Sequence, residues 1–144
     1  MRFVLLICVI ALLGTSCMSR RARETQNTQP PAAAATNTAS VVQITDENYD
    51  EVVRSQKVVL LLFWAPWSAP DRAIAPVIDA ISIDYAGRVK TGKINVDENP
   101  RLSRKFNIKG IPTVVVLKDG SEQKRIVGLA PKKKISDLLD KQFH

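Results

Sequence analysis

Apolar residues are distributed unevenly along the chain. Residues 3–13 form an unbroken apolar run, whereas residues 19–40 are rich in Arg, Thr, Gln, Asn, Pro and Ala and show no apolar periodicity. Beyond residue 40, short apolar runs alternate with segments whose apolar residues recur every three or four positions. These patterns are typical of a targeting segment, a disordered tether and a folded domain, in that order. The predicted division is a signal peptide over 1–16, a tether over 17–40 and a domain over 41–144.

The pattern in the domain predicts strands that alternate with helices. Apolar or alternating runs predict strands at 41–45, 57–64, 88–96, 114–117 and 123–127. The longest helix carries its apolar face on Ile74, Val77, Ile78, Ile81 and Tyr85, at helical spacing. Shorter helices are predicted after Asp46, over 101–106 and after Pro131. Alternation of this kind indicates an α/β domain with a mixed sheet between layers of helices.

The N-terminal segment has the features of a secretory signal. Met1 and Arg2 give a positive start, and the apolar run that follows is shorter than the roughly twenty residues that span a membrane. Cys17 follows Leu-Gly-Thr-Ser, which resembles a bacterial lipobox with its leucine one position too early. The segment is therefore interpreted as a lipoprotein signal with Cys17 lipidated, and Cys8 is discarded with it. A plain signal cleaved near Ser16 and an uncleaved anchor remain alternatives, the latter because arginines follow the run.

Composition excludes several kinds of catalytic site. The single histidine is His144, the last residue, and both cysteines lie in the first seventeen residues. Ser-His-Asp triads, Cys-His dyads and multi-histidine metal sites are therefore not expected, and neither is a metal or another cofactor. The net charge is +7, but no nucleic-acid motif is present, so nucleic acid is not an expected partner. The lysine run 132–134 is interpreted as a solvated helix face, with anionic lipid or an acidic partner as the alternative.

Residues 63–76, which read FWAPWSAPDRAIAP, resemble the active-site strand, turn and helix of the thioredoxin family. The resemblance continues through 93–97 and 109–113 to Gly128, at family spacing, and covers essentially all of 41–144. It implies a thioredoxin fold, with a central mixed sheet flanked by helices. It also implies that the peptide bond before Pro112 is cis and that this proline lies beside the active-site turn.

The sequence departs from the family at the positions that carry its chemistry. Where the family has Trp-Cys-Gly-Pro-Cys, this chain has Trp67 followed by Ser-Ala-Pro-Asp, so Ser68 and Asp71 replace the two cysteines. Disulfide exchange needs a thiolate to attack and a second thiol to resolve the mixed disulfide. The family's buried acid is matched by Leu62, which leaves the family's lysine, at Lys93, without that partner. We therefore expect no catalytic residue here, and Lys93 is expected to extend along the surface.

The substituted motif has the form of a capping box. Ser-x-x-Asp precedes the long amphipathic helix, so Ser68 is expected to cap a first-turn N–H and Asp71 to reach back to the N-cap. A serine cap is typically worth about 1 kcal/mol relative to alanine. These two residues are therefore predicted to stabilise the helix and to do no chemistry.

The resemblance also implies a shallow groove that binds extended peptides. Its residues would be Trp64, Trp67, Ala69, Ile111, Pro112 and Gly128. In the alternative, Trp64 belongs to the core and Trp67 is a lone exposed aromatic residue. The predicted function is a redox-inactive, monomeric, peptide-binding or chaperone-like module, held by lipid to the outer side of a bacterial membrane and acting on an envelope protein or extended peptide. The alternative is a thiol-disulfide oxidoreductase that works through a free Cys17.

Overall fold

The structure, a computed structural model, describes residues 40–144. The predicted signal peptide, Cys17 and nearly all of the predicted tether lie outside the described residues. Within residues 40–144, no helix combines the length and the apolar character needed to cross a membrane.

The order of elements follows the alternation that the sequence predicts. The strands are β1 (Val42–Gln43), β2 (Val58–Trp64), β3 (Val89–Asn95), β4 (Thr113–Lys118) and β5 (Ser121–Val127). The helices are α1 (Tyr49–Arg54), α2 (Ala69–Asp84), α3 (Pro100–Lys105) and α4 (Lys132–Asp140). The predicted bounds of β1 are too long, because only two of its five expected residues pair in the sheet. The Thr45 N–H donates to Asn48 Oδ1 at 2.8 Å, which turns the chain into α1.

The five strands form one mixed sheet in the order β1-β3-β2-β4-β5. β3 runs parallel to β1 and β2, whereas β4 runs antiparallel to both β2 and β5. The central strand β2 is continuously apolar and is buried on both faces, as expected for a strand covered by helices on each side. The predicted α/β class and mixed sheet are confirmed.

Alternate residues of β2 point into two separate core layers. Val58, Leu60 and Leu62 pack with buried residues of α2 and α4. Val59, Leu61 and Phe63 pack with buried residues of α1 and with Leu102 of α3. This alternation follows from the two-residue period of a strand, and it places α2 and α4 on one face of the sheet and α1 and α3 on the other. The turn between β2 and α2 follows the carboxyl end of this central strand.

Candidate functional site

Three neighbouring strands bring the predicted site residues to one end of the sheet. Phe63 of β2 pairs with Thr113 of β4, which in turn pairs with Val127 of β5. Trp64, Pro112 and Gly128 each lie one residue beyond these pairs, so they form a row across the sheet. The Gly128 N–H donates to the Pro112 carbonyl at 2.7 Å, and Gly128 has a φ of 87°, a conformation that favours glycine. The peptide bond between Ile111 and Pro112 is cis, as the resemblance implies.

The turn that precedes α2 does not form the predicted capping box. Ser68 is the N-cap residue of α2, but its side chain makes no capping hydrogen bond. The Ser68 N–H, which a capping box would satisfy from Asp71, already donates to the Ala65 carbonyl at 3.2 Å. Asp71 Oδ2 instead accepts the Ala65 N–H at 2.8 Å. The predicted stabilising role therefore falls on Asp71 through the turn, and the Ser68 hydroxyl has no part in it.

The different roles of these two side chains lead to different expected stabilities. Asp71→Ala should lower the free energy of unfolding by about 1–3 kcal/mol, because it leaves the buried Ala65 N–H without a partner. Ser68→Ala should cost less than about 0.5 kcal/mol, below the ordinary value for a serine cap, since there is no cap bond to lose. Urea denaturation of the two variants measures both values. Equal losses would favour the capping box instead.

Trp67 is the most exposed large apolar side chain among the described residues, at 68% exposure. Its indole Nε1–H donates to Asp97 Oδ2 at 2.8 Å, and this bond ties the ring to the end of β3. Asp97 was not among the predicted site residues. A signal was present, because β2 and β3 are parallel and polar residues that follow the end of β3 must lie at the same edge of the sheet as Trp67.

Other apolar side chains that are exposed or half-buried adjoin the row formed by Trp64, Pro112 and Gly128 along the chain. Val127 is 63% exposed and Leu129 is 59% exposed, and they flank Gly128 in sequence. Ile111 is half-buried and Ala69 is exposed at the first position of α2. We call Trp67, Ala69, Ile111, Val127, Gly128 and Leu129 the end surface. Val127 and Leu129 were not among the predicted site residues, although both adjoin the predicted Gly128.

Trp64 lies below the end surface. It is half-buried, packs against the core layer of α2 and α4, and its Nε1 has no hydrogen-bond partner in the described part of the chain. Trp64 therefore packs against the core without being fully buried in it, and it is less exposed than Trp67. Trp67 differs from Trp64 because it is both exposed and held in place by a hydrogen bond.

Lys93 is not the unpaired surface side chain that the sequence suggests. Its Nζ lies 3.0 Å from Asp79 Oδ1, on the exposed side of α2. Asp79 thus takes the place of the family's missing acid as the partner of this lysine, but from the helix instead of from β2. Because Asp79 is more than half exposed, the pair contributes little to stability.

The chemistry available at this end of the sheet is limited. The chain contains no cysteine after Cys17, so no thiol reaches the turn from the folded domain itself. Within residues 40–144, no three His, Cys, Asp or Glu side chains cluster in a way that could hold a metal ion.

The lysines at the start of α4 face solvent, and two of them pair with acids, Lys132 with Asp84 and Lys133 with Asp137.

Comparison with known proteins agrees with this architecture. The family model described as Thioredoxin matches residues 40–141. A thioredoxin from Staphylococcus haemolyticus is 42% identical over 104 residues, which covers 72% of this chain and 99% of that protein. Thioredoxin 1 from a Nostoc species is 40% identical over 106 residues, covering 73% of this chain and 99% of that protein.

A solved structure supports the same relationship. A mutant thioredoxin from Halobacterium salinarum NRC-1 superposes with a TM-score of 0.71 at 26% identity, over 77% of this chain and 97% of that one. The residues that the family model matches, 40–141, include all five strands and the turn that carries Ser68 and Asp71. The chain therefore belongs to the thioredoxin family.

Proposed function

We propose that this chain is a redox-inactive member of its family, which binds an extended segment of another protein on the end surface. The observation that carries the proposal is the structure of the turn between β2 and α2, which carries Ser68 and Asp71 and which we call the motif turn. At the position of the second family cysteine, Asp71 is only 2% exposed and is bonded to the turn through Ala65, whereas Trp67 next to it is open to solvent. The turn thus keeps a surface for a partner and has lost the groups that exchange disulfides.

The absence of thiols supports the redox-inactive part of the proposal. A serine hydroxyl does not attack a disulfide at neutral pH, and a carboxylate does not resolve a mixed disulfide. Ser68 is 6% exposed, and the single histidine of the chain, His144, is separated from it by most of the domain sequence, so no neighbouring histidine in sequence activates its hydroxyl. The binding part of the proposal is therefore independent of any covalent step.

The backbone at Ile111, which precedes Pro112, supports the proposal that the end surface binds a peptide. Ile111 precedes β4, and neither its N–H nor its C=O forms a hydrogen bond with another residue in 40–144. Free backbone groups beside exposed apolar side chains are what an extended peptide uses when it docks along a sheet end. Trp67, already held by Asp97, offers a large apolar contact whose ring loses little conformational freedom on binding.

A direct binding measurement tests this proposal. Trp67→Ala should weaken the binding of a fluorescently labelled, reduced and carboxymethylated insulin B chain about tenfold or more, because a central tryptophan commonly dominates an interface. Fluorescence anisotropy measures the change, and the blocked thiols of the probe exclude disulfide exchange.

The matched control is Ile83→Ala. Ile83 is 64% exposed on α2 and does not belong to the end surface, so its loss should leave the affinity unchanged. Equal affinities for the parent chain and the Trp67→Ala variant would contradict the proposed function.

The proposed location of this module is the outer side of a bacterial membrane. We propose that Cys17 carries a lipid and that a monomeric domain follows it on the tether, where it acts on envelope proteins or peptides. The placement of Cys17 behind a short apolar run supports this. Cells that express the chain should incorporate radiolabelled palmitate into it, and Cys17→Ala should abolish the label. Persistent labelling of the variant would exclude lipidation at this residue.

A further inference from the structure

A cavity of about 250 Å³ lies beneath the motif turn, between α2 and the central strands. Its lining residues are Leu62, Trp64, Asp71, Arg72, Ala75 and Lys93. Arg72 is exposed and Lys93 is half-buried, so the cavity reaches the surface on their side. Trp67 and the Pro112 turn are not part of its lining, so it is separate from the end surface.

Two of the residues that line this cavity carry buried polar atoms without a partner. Across residues 40–144, only three buried side-chain nitrogen or oxygen atoms have no hydrogen-bond partner, and two of them are Trp64 Nε1 and Asp71 Oδ1. Trp64 Nε1 is a donor, and Asp71 Oδ1 can accept. Buried polar groups are normally paired, so an unpaired donor and an unpaired acceptor beside one cavity indicate that something supplies the missing bonds.

The rest of the lining determines what kind of molecule fits. Leu62 and Ala75 are apolar, and the Trp64 ring adds an aromatic surface. An apolar cavity of about 150 Å³ is large enough for benzene, so this cavity can hold a molecule built on a single ring. Lys93 already pairs with Asp79, which reduces the attraction of the cavity mouth for a charged ligand.

We propose that this cavity is a binding site for a small, uncharged, mainly apolar molecule that carries a hydroxyl group. A hydroxyl is both a donor and an acceptor, so it can donate to Asp71 Oδ1 and accept from Trp64 Nε1. The apolar body of such a ligand would pack against Leu62 and Ala75. Asp71 is thus both the acceptor that holds the turn, through Oδ2, and a ligand-binding group, through Oδ1.

Titration with phenol, followed by NMR of the two indole N–H groups, tests this site. The chain has two tryptophans, and a Trp67→Phe variant assigns their signals. Phenol should shift the Trp64 indole signal in a saturable manner and leave the Trp67 signal in place. Toluene, which has the ring but no hydroxyl, should bind about fivefold more weakly, as expected for the loss of hydrogen bonding.

A matched pair of variants on α2 locates the binding. Ala75→Leu fills the cavity and should abolish the phenol-dependent shift, whereas Ala80→Leu changes a half-buried alanine of the same helix that does not line the cavity and should preserve it. Near-ultraviolet circular dichroism confirms that each variant is folded. No saturable shift with phenol, equal shifts at both indoles, or binding that survives Ala75→Leu in a folded protein would each overturn the proposal.

The cavity and the end surface can be tested separately. Ala75→Leu should still bind the carboxymethylated insulin B chain with the affinity of the parent. Trp67→Ala should lose that affinity and still bind phenol. Failure of the peptide experiment therefore leaves the cavity proposal standing, and failure of the phenol experiment leaves the proposed function standing.

Discussion

A Ser68→Cys, Asp71→Cys double variant should catalyse the reduction of insulin by dithiothreitol, although the parent chain should not. Both changes are made in a Cys17→Ser background, so the new thiols are the only ones after residue 8. Residue 68 is the N-cap of α2, and a helix N-terminus lowers the pKa of a thiol below its usual value of about 8.5. The resulting thiolate should give a rate at least about tenfold above background.

The rate should nevertheless stay well below that of an ordinary thioredoxin. Leu62 replaces the acid that the family uses for proton transfer, and the double variant also removes the bond from Ala65 to Asp71. Turbidity of the precipitating insulin B chain measures the rate. The single variants Ser68→Cys and Asp71→Cys are the controls, and neither should turn over, because each has one thiol.

Three outcomes of this experiment would contradict the proposed geometry of the turn or the proposed function. A double variant that cannot form its disulfide would show that residues 68 and 71 do not face each other as the family's cysteines do. Insulin reduction by the Cys17→Ser parent would exclude the redox-inactive proposal. Reduction by the unmodified chain that disappears with Cys17→Ser would favour an oxidoreductase working through Cys17.

Leu62→Asp, which introduces an acid at the family's position, should lower the free energy of unfolding by about 3–5 kcal/mol. Leu62 is 1% exposed and packs in the core layer beneath α2 and α4. The change removes a buried apolar side chain and buries a carboxyl group in its place. Lys93 lines the same cavity, so an ion pair between them would offset part of the loss.

Denaturation in urea measures this loss, and Leu62→Met is the matched control. Methionine keeps the volume and the apolar character of leucine, so its cost should stay below about 1.5 kcal/mol. Adding Lys93→Met to Leu62→Asp should destabilise the protein further if the new carboxyl pairs with the lysine. A loss below about 1 kcal/mol for Leu62→Asp would mean that this part of the core is already wet, which would also weaken the case for an apolar ligand in the cavity.

The predicted strands and helices and the predicted site residues followed from different kinds of information. The apolar run over 58–63 and the helical spacing from Ile74 to Tyr85 are local patterns, and they correctly predict β2 and α2. The family motif then places Trp67, Pro112 and Gly128 in one region, and the register of β2, β4 and β5 confirms that Trp64, Pro112 and Gly128 form one row. The local patterns predict the elements correctly because the apolar residues that form them are the residues buried in the core.

The capping box and the unpaired lysine were wrong for different physical reasons. The capping box depends on how the turn before α2 is folded, whereas Lys93 was left without a partner because its partner lies on another element of the fold. The Ser68 N–H donates to the Ala65 carbonyl, and Asp71 accepts the Ala65 N–H. Lys93, on β3, meets Asp79 of α2 only because the helix packs over the strand.

By itself, the sequence determined that residues 41–144 form an α/β domain of this family and that both of its characteristic thiols are absent, because periodicity and residue identity are written in the chain. Only the tertiary structure decided which contacts the residues of the substituted motif make. The buried Asp71 accepts the Ala65 N–H and so holds the turn, and Asp97, which follows β3, accepts the Trp67 indole N–H. Packing of α2 on the sheet also leaves Trp64 and Asp71 beside a cavity, with polar atoms that no neighbour in the described chain satisfies. Hydrogen bonds and cavities depend on distances across the fold, and those distances exist only after the chain has folded.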